Sequence, residues 1–136
     1  MALFKRATPL GAAPAEGREL ILADLDGIVY RGALAIPHAV EQLNAAATRA
    51  RVAYLTNNAS RTSVAVMEQL RAFGLRLEAN DVVTSPQAAT ALLARTVAPG
   101  SKVLVVGGDG LVDELTKAGF EITRSADDNP DAVVQG

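Results

Sequence analysis

Residues 20–30 read Leu20-Ile21-Leu22-Ala23-Asp24-Leu25-Asp26-Gly27-Ile28-Val29-Tyr30, an apolar run that ends in two carboxylates and a glycine. Four apolar residues without polar alternation are typical of a strand buried on both faces, as in a parallel sheet covered by helices. Asp24 then stands at the carboxyl end of this strand, beyond which ligands bind in open α/β sheets. Extended geometry also places Asp24 and Asp26 on the same side. The stretch therefore predicts an α/β fold with a chemical site at this edge of the sheet.

The two acids at 24 and 26 repel each other and are costly to desolvate unless a cation lies between them. Mg²⁺ suits a short Asp-x-Asp because it binds one or two carboxylates, several waters and a substrate phosphate. Gly27 would let the backbone approach such a ligand. The alternative is that Asp24 and Asp26 only end the strand and open a solvated turn, since Asp and Gly are ordinary turn residues.

The composition is that of a globular protein of one ordinary domain, with 136 residues, 49% of them apolar and 21% charged. The net charge is -2 and there is no run of Lys or Arg, so neither nucleic acid nor an anionic membrane is favoured as a partner. No window approaches the ~20 apolar residues of a membrane span, and residues 1–19 lack the apolar core of a signal peptide. The cytoplasm is therefore the expected location.

The chain has no cysteine and one histidine, His38. The absence of cysteine excludes disulfides and thiolate metal sites, and a lone histidine argues against a zinc site or a Ser-His triad. Because His38 follows Pro37 at the start of a helix, with nothing nearby to orient it, we interpret it as an exposed surface residue.

A second strand followed by polar residues repeats the first pattern. A loop at 31–36 and a helix from Pro37 lead to the strand 51–55, which ends in Thr56-Asn57-Asn58-Ala59-Ser60-Arg61-Thr62. A strand, helix, strand unit has parallel strands and a right-handed crossover, so Thr56 should emerge at the same sheet edge as Asp24. The following helix start presents N–H groups and a positive dipole end to an anion, for which phosphate is the expected guest. The alternative is that Ser60 or Thr62 only caps that helix.

The second half of the chain predicts a further α/β unit. A helix should begin at 85–86 with three inward-facing residues, Ala88, Ala91 and Leu92. A strand at 102–106 should precede a helix lined by Leu111, Leu115 and Ala118. The segment Gly107-Gly108-Asp109-Gly110 lacks the G-x-G-x-x-G spacing, so we interpret it as a helix entry and not as a nucleotide loop. The acids at 127, 128 and 131 are interpreted as a solvated turn before a last strand.

The pair of segments Asp24-Leu25-Asp26-Gly27-Ile28-Val29-Tyr30 and Tyr54-Leu55-Thr56-Asn57-Asn58-Ala59-Ser60-Arg61-Thr62 resembles the haloacid dehalogenase superfamily. More narrowly, it resembles the capped NagD-like phosphatases, which include phosphoglycolate and glycerol-3-phosphate phosphatases. The resemblance runs from about residue 20 to the last residue. It implies a Rossmann-like core, with a parallel sheet and helices on both faces, and the start of an inserted α/β cap domain. Residues 1–18 are then a mobile leader, 19–82 the N-terminal part of the core and 83–136 the beginning of the cap.

The resemblance also implies a chemistry, the Mg²⁺-dependent hydrolysis of a small phosphate monoester through an aspartyl-phosphate. By motif, Asp24 is the nucleophile and Asp26 the general acid and base. The residues implied to bind the substrate phosphate are Gly27, Thr56 and Asn57, and those implied to bind Mg²⁺ are Asp24 and the backbone carbonyl of Asp26. The implied partner is a small phosphorylated metabolite, and a homo-oligomer formed through the cap is left open.

The remaining motifs of the family, a lysine and a late acidic pair, are expected beyond the cap, and Lys102 and Lys117 lie inside the cap-like unit. We therefore expect this chain to be an N-terminal portion of a phosphatase that is inactive alone. Two other interpretations stay open. One is a receiver-like module in which Asp24 accepts a phosphoryl group for signalling, and the other is a catalytically dead fragment that binds Mg²⁺ and phosphate. The sequence does not name the substrate.

Overall fold

The computed structural model describes residues 15–136. Of the leader expected at 1–18, residues 1–14 lie outside this described part. The described residues form eight strands and four α-helices in the following order: β1 (Leu20–Asp24), β2 (Tyr30–Arg31), β3 (Leu34–Ala35), α1 (Ala39–Ala46), β4 (Arg51–Thr56), α2 (Ser63–Ala72), β5 (Val82–Thr84), α3 (Ser85–Leu93), β6 (Lys102–Val106), α4 (Asp109–Lys117), β7 (Glu121–Thr123) and β8 (Ala132–Gln135). No helix between residues 15 and 136 has the length and the apolar character needed to cross a membrane.

The first unit is built on a parallel sheet of three strands in the order β1-β4-β5. The central strand β4 has consecutive buried residues at Val52, Ala53 and Tyr54, because neighbours cover both of its faces. The helices α1 and α2 add Val40, Leu43, Val66 and Leu70 to the same apolar core. The predicted α/β fold with a parallel sheet is confirmed.

The expected burial of β1 on both faces is wrong. Ala23 is buried, whereas Leu20 and Leu22 expose 52% and 60% of their surface. β1 pairs only with β4 in this sheet, and successive side chains of a strand point to opposite faces. Within residues 15–136 nothing covers the face that carries Leu20 and Leu22. The uninterrupted apolar run thus produces one buried face and one exposed apolar face.

The loop expected at 31–36 contains a short antiparallel hairpin. β2 and β3 pair so that Tyr30 lies opposite Ala35, and Arg31 opposite Leu34. Gly32 makes the turn with a φ of 59°, a conformation that glycine adopts without steric cost. This hairpin follows the Asp26 turn directly and stands next to the strand ends of the first sheet.

The second unit is a parallel sheet of three strands in the order β7-β6-β8. Its apolar core contains Val103, Val105, Leu111, Leu115 and Phe120. The inward face of α4 is confirmed at Leu111 and Leu115. Ala118 is exposed, because it lies beyond the last turn of the helix.

The predicted inward face of α3 is wrong. Leu92 exposes 64% of its surface, and Ala88 and Ala91 are also exposed. The side chains that face the protein are instead Pro86, Thr90 and Leu93. Their spacing of four and three residues is that of a helix face, but its middle member is polar.

The acids at 127, 128 and 131 belong to a turn before β8, as predicted. Ser125 caps a short 3-10 helix at Ala126–Asp128, where its side chain accepts a hydrogen bond from the Asp127 N–H. The Asp131 carboxylate accepts a hydrogen bond from the backbone N–H of Lys102 at 2.8 Å. The Asp131 carboxylate therefore holds the start of β6 next to the approach to β8.

The first sheet is joined to the second unit without a linker. Thr84 is the last residue of β5 and also the N-cap of α3, in a reciprocal capping box with Gln87. The boundary expected between residues 82 and 83 falls inside β5, all of whose residues pair with β4. The assignment of the second unit as a cap domain remains a prediction.

Candidate functional site

The two sequence motifs meet at the carboxyl edge of the first sheet. In the parallel register of β1 and β4, Asp24 lies opposite Leu55, so Thr56 is one residue further along the neighbouring strand. Neighbouring strands lie about 4.8 Å apart. Asp24 is exposed at this edge, while Thr56 exposes only 5% of its surface. Both residues therefore lie at the carboxyl edge of the sheet, on neighbouring strands.

The turn after β1 is built on the buried residue Leu25. Its side chain is fully buried, and its carbonyl accepts hydrogen bonds from the N–H groups of Ile28 (3.3 Å), Val29 (2.9 Å) and Tyr30 (3.2 Å). Asp24 and Asp26, on either side of Leu25, are both exposed. Because Leu25 is anchored in the core, Asp24 and Asp26 on either side of it face solvent. The sequence predicts that these two carboxylates lie on the same side.

Gly27 has a structural role that differs from the expected one. Its φ is +81°, and no atom lies within 4 Å of the position that a Cβ would take, so glycine is required by the backbone conformation. Its N–H donates to the Tyr30 carbonyl at 2.8 Å. The Gly27 amide is therefore engaged within the turn, and its role in binding phosphate stays a prediction.

The loop after β4 is ordered by its own side chains. The Thr56 hydroxyl oxygen accepts the N–H of Asn58 at 3.1 Å, and the Asn58 side-chain oxygen accepts the N–H of Ser60 at 3.0 Å. Thr62 caps α2 by accepting the N–H of Ala65, which confirms the capping alternative for that residue only. Because Thr56 uses an oxygen lone pair for Asn58, its hydroxyl proton can be donated to a ligand.

Asn57 follows directly after the last residue of β4. It is exposed, and its backbone carbonyl accepts a hydrogen bond from the Ser85 hydroxyl at 3.0 Å. Ser85 is the first residue of α3, directly after β5. The start of α3 thus fixes the backbone of Asn57. This contact was not predictable from the sequence, because the two residues are 28 positions apart in the chain.

Arg61 is a further site residue to which sequence reasoning assigned no role. Its guanidinium donates to the Gln69 side-chain oxygen and, at 3.0 Å, to the Ala65 carbonyl. Gln69 in turn donates to the Gly32 carbonyl in the β2–β3 turn at 3.0 Å. These contacts connect the loop after β4 with the hairpin after Asp26. The only sequence signal was the position of Arg61 within the second motif.

Charged groups of both motifs influence the pKa of Tyr30. Burial raises the pKa of the Tyr30 phenol, the negative charges of Asp26 and Asp24 raise it further, and the positive charge of Arg61 lowers it. Three charged side chains from two separate motifs therefore act on the same hydroxyl group. The Tyr30 ring also packs against Phe73, with the ring centroids 5.8 Å apart.

The donor set at this edge fits a magnesium ion. Asp24 and Asp26 are the two acids of the site, and among residues 15–136 no three His, Cys, Asp or Glu side chains cluster as metal ligands. A caged Ca²⁺ site needs six to eight oxygen ligands, whereas Mg²⁺ is held by one or two carboxylates together with waters and a substrate phosphate. Two exposed carboxylates at an open edge match the second pattern.

Other candidate positions lie away from this edge. The His38 side chain is 83% exposed, and its ring lies 3.8 Å from the Glu41 carboxylate, which confirms it as a surface residue. A cavity of about 610 Å³ is lined by Ile21, Leu43 and Arg49, among others. This cavity lies near the amino ends of β1 and β4, and none of Asp24, Asp26 or Thr56 lines it.

The fold and the site define an α/β protein with paired carboxylates and a hydroxyl at the carboxyl ends of neighbouring parallel strands. A family model described as haloacid dehalogenase-like hydrolase matches residues 21–121. The chain therefore belongs to the haloacid dehalogenase-like hydrolase family.

Individual relatives agree with this assignment. The chain is 42% identical over 122 residues to the D-glycerol 3-phosphate phosphatase of Mycobacterium tuberculosis, covering 90% of this chain and 34% of the relative. A crystal structure of a glycerol phosphate phosphatase from the same organism, in complex with magnesium, matches with a TM-score of 0.80 and 42% identity, covering 90% of this chain and 37% of that one. NagD from E. coli K-12 matches with a TM-score of 0.73 and 33% identity, covering 87% and 46%. The chain thus spans about a third to a half of the length of these proteins.

Proposed function

We propose that this chain supplies the nucleophile and the phosphate-binding loop of a Mg²⁺-dependent phosphatase that hydrolyses a small phosphate monoester. The observation that carries this proposal is the parallel register of β1 and β4, which brings Asp24 and Thr56 to the ends of neighbouring strands. The similarity to glycerol 3-phosphate phosphatases supports glycerol 3-phosphate, or a phosphoglycolate-like ester, as the substrate class.

Asp24 and Asp26 carry the two chemical roles. A carboxylate oxygen of Asp24 attacks phosphorus, the bond between phosphorus and the ester oxygen breaks, and an aspartyl-phosphate forms. Asp26 donates its proton to the leaving alkoxide and then takes a proton from a water that attacks the same phosphorus. The bond between phosphorus and the Asp24 oxygen breaks and inorganic phosphate leaves, so that Asp24 is again a carboxylate and Asp26 is again protonated. Both acids are exposed on either side of the buried Leu25, so both are accessible to a substrate.

Thr56 and Asn57 bind the transferring phosphoryl group. The free hydroxyl proton of Thr56 donates to one of its oxygens, and the fixed backbone of Asn57 presents the next donor. Preorganised donors of this kind stabilise charge that develops in the transition state, because they need no reorientation during the reaction. The hydrogen bonds from Asn58 to Thr56 and from Ser85 to Asn57 support this role by holding both residues in place.

Mg²⁺ is the proposed cofactor, and Asp24 together with the backbone carbonyl of Asp26 would hold it. When bound, it supplies positive charge that lets an anionic carboxylate approach an anionic phosphate. The solved relative in complex with magnesium supports this choice of ion.

Phosphate release tests the proposal. Residues 20–136 would replace the matching segment of the M. tuberculosis phosphatase, and this chimera would be assayed with glycerol 3-phosphate and Mg²⁺ beside its Asp24→Asn variant. We expect the chimera to release phosphate and its Asp24→Asn variant to release none. The two proteins should have equal thermal unfolding midpoints. Turnover of the variant within tenfold of its parent would refute Asp24 as the nucleophile.

A second candidate function is the binding of Mg²⁺ and phosphate without turnover. This candidate is favoured because the site has only two acids, and no cluster of three possible metal ligands occurs among residues 15–136. Treatment of the chimera with acetyl phosphate and Mg²⁺, followed by mass spectrometry, separates the candidates. Rapid release of phosphate supports hydrolysis, a long-lived phospho-Asp24 supports a signalling acceptor, and an unmodified chain supports binding alone.

A further inference from the structure

The second unit contacts the loop after β4 through glycines. A Cβ placed on Gly110 would lie 2.1 Å from the Arg61 carbonyl oxygen, and one placed on Gly108 would lie 2.7 Å from the Ser60 Cα. Real Cβ atoms do not approach other heavy atoms this closely, because packed interiors leave no overlap between atoms. The backbone at the start of α4 therefore packs directly on the backbone of Ser60 and Arg61. We call this contact the glycine seat.

Polar contacts hold the glycine seat together. The Gly110 N–H points at the Ser60 carbonyl at 3.4 Å, and the Ser63 hydroxyl donates to the Glu114 carboxylate at 3.0 Å. The second of these bonds joins the first turn of α2 to the middle of α4. The two units thus meet along one line of contacts that runs from the loop into α2.

Helix propensity alone does not explain Gly110. It is the second residue of α4 and does not have a positive φ, so alanine could adopt its conformation. Glycine in a helix is less stable than alanine by about 0.5 to 1 kcal/mol. The close approach of the Arg61 carbonyl supplies the reason for glycine, since any side chain at position 110 would displace the loop.

The loop that rests on the glycine seat is the one that begins at Thr56. Ser60 is joined to Asn58 by one hydrogen bond, and Asn58 to Thr56 by the next. On its other side, Arg61 is held through Gln69 to the hairpin turn at Gly32. A displacement of Ser60 and Arg61 is therefore passed to Thr56 through two hydrogen bonds and very few free torsions.

We propose that Gly108 and Gly110 are positioning residues, through which the second unit sets the shape of the phosphate-binding loop. This inference rests on the proposed function for the identity of the ligand, and on the contacts alone for the shape of the loop. Through the glycine seat, the geometry of the phosphate site depends on how the second unit packs. That unit contributes none of the proposed catalytic groups.

The test uses Gly108→Ala, Gly110→Ala and the control Gly107→Ala in the 136-residue chain. A Cβ on Gly107 would also be crowded, at 3.0 Å from the Gly136 carbonyl and 3.2 Å from Leu111, but it would not touch the loop directly, which Gly136 meets only at the Ala59 side chain. Backbone amide NMR shifts report the shape of the loop, and titration with orthovanadate in Mg²⁺ reports the phosphate site. We expect the two seat variants to move the amides of 57–61 and to weaken vanadate binding at least tenfold, and the control to do neither.

Ser63→Ala provides a milder variant that adds no volume. It removes the hydroxyl bond to Glu114, and we expect it to weaken vanadate binding about two- to threefold. The inference is overturned if Gly110→Ala raises the unfolding midpoint and leaves the amides of 57–61 in place, or if those amides move without a change in affinity. If the unmodified chain binds no vanadate, the proposed function fails instead, and the amide shifts alone decide whether the seat shapes the loop.

Discussion

Replacing Thr56 with valine separates its ligand role from its structural role. The change is nearly isosteric and removes the hydroxyl that accepts the Asn58 N–H at 3.1 Å. Loss of this neutral hydrogen bond should lower the free energy of unfolding by about 0.5 to 1.5 kcal/mol. A hydrogen bond to a charged phosphate oxygen contributes more, about 1.5 to 3 kcal/mol, which corresponds to a roughly 10- to 150-fold loss of affinity.

Titration calorimetry of the 136-residue chain with orthovanadate in Mg²⁺ measures this loss, and urea titration measures the stability. Thr56→Ser keeps the hydroxyl and is the matched control, for which we expect affinity within about threefold of the unmodified chain. If Thr56→Val lowers stability but keeps the vanadate affinity of the serine variant, Thr56 only ends the strand. The proposed phosphate contact would then be wrong.

Three further predictions concern the acids and Tyr30. In the chimera, Asp24→Asn should reduce turnover by more than about a hundredfold without changing the unfolding midpoint, because an amide cannot attack phosphorus. Asp26→Asn should cost about 10²- to 10⁴-fold on glycerol 3-phosphate and much less on 4-nitrophenyl phosphate, whose leaving group needs no proton; equal losses would contradict the acid role. The raised pKa of Tyr30 means that its contribution to stability is present below the unfolded pKa of 10.0 and is lost as pH rises through the folded value. Tyr30→Phe should therefore lose less stability than the unmodified chain between about pH 8 and pH 11 in denaturant titrations.

The strands that carry the site were predictable from sequence. β1 and β4 are apolar runs that end in small polar residues, and the rule for parallel crossovers then brings Asp24 and Thr56 to one edge. The sequence could not reveal that β1 has only one buried face, since Leu20 and Leu22 are as apolar as residues inside a sheet. That distinction depends on which neighbours a strand has.

Short elements and mixed faces were not predictable. β2 and β3 have two residues each, too few for an alternating pattern, and tertiary contacts such as the bond from Gln69 to Gly32 hold their turn. The alanines of α3 do not indicate which face of the helix is buried. Thr90 lies on the buried face although its side chain is polar, so hydrophobicity does not identify it. The glycine seat was also hidden, because the sequence explains Gly108 as a helix entry and gives no sign of its contact with Ser60.

The double role of Thr84 has a mechanical consequence. Because β5 becomes α3 at one residue, the torsions around Thr84 and Ser85 are the only ones between this strand and this helix. A swing of the second unit about these torsions would draw the Ser85 hydroxyl away from the Asn57 carbonyl and lift Gly110 from Arg61. Any opening at this joint would therefore also release the contacts that hold the loop after β4 in place.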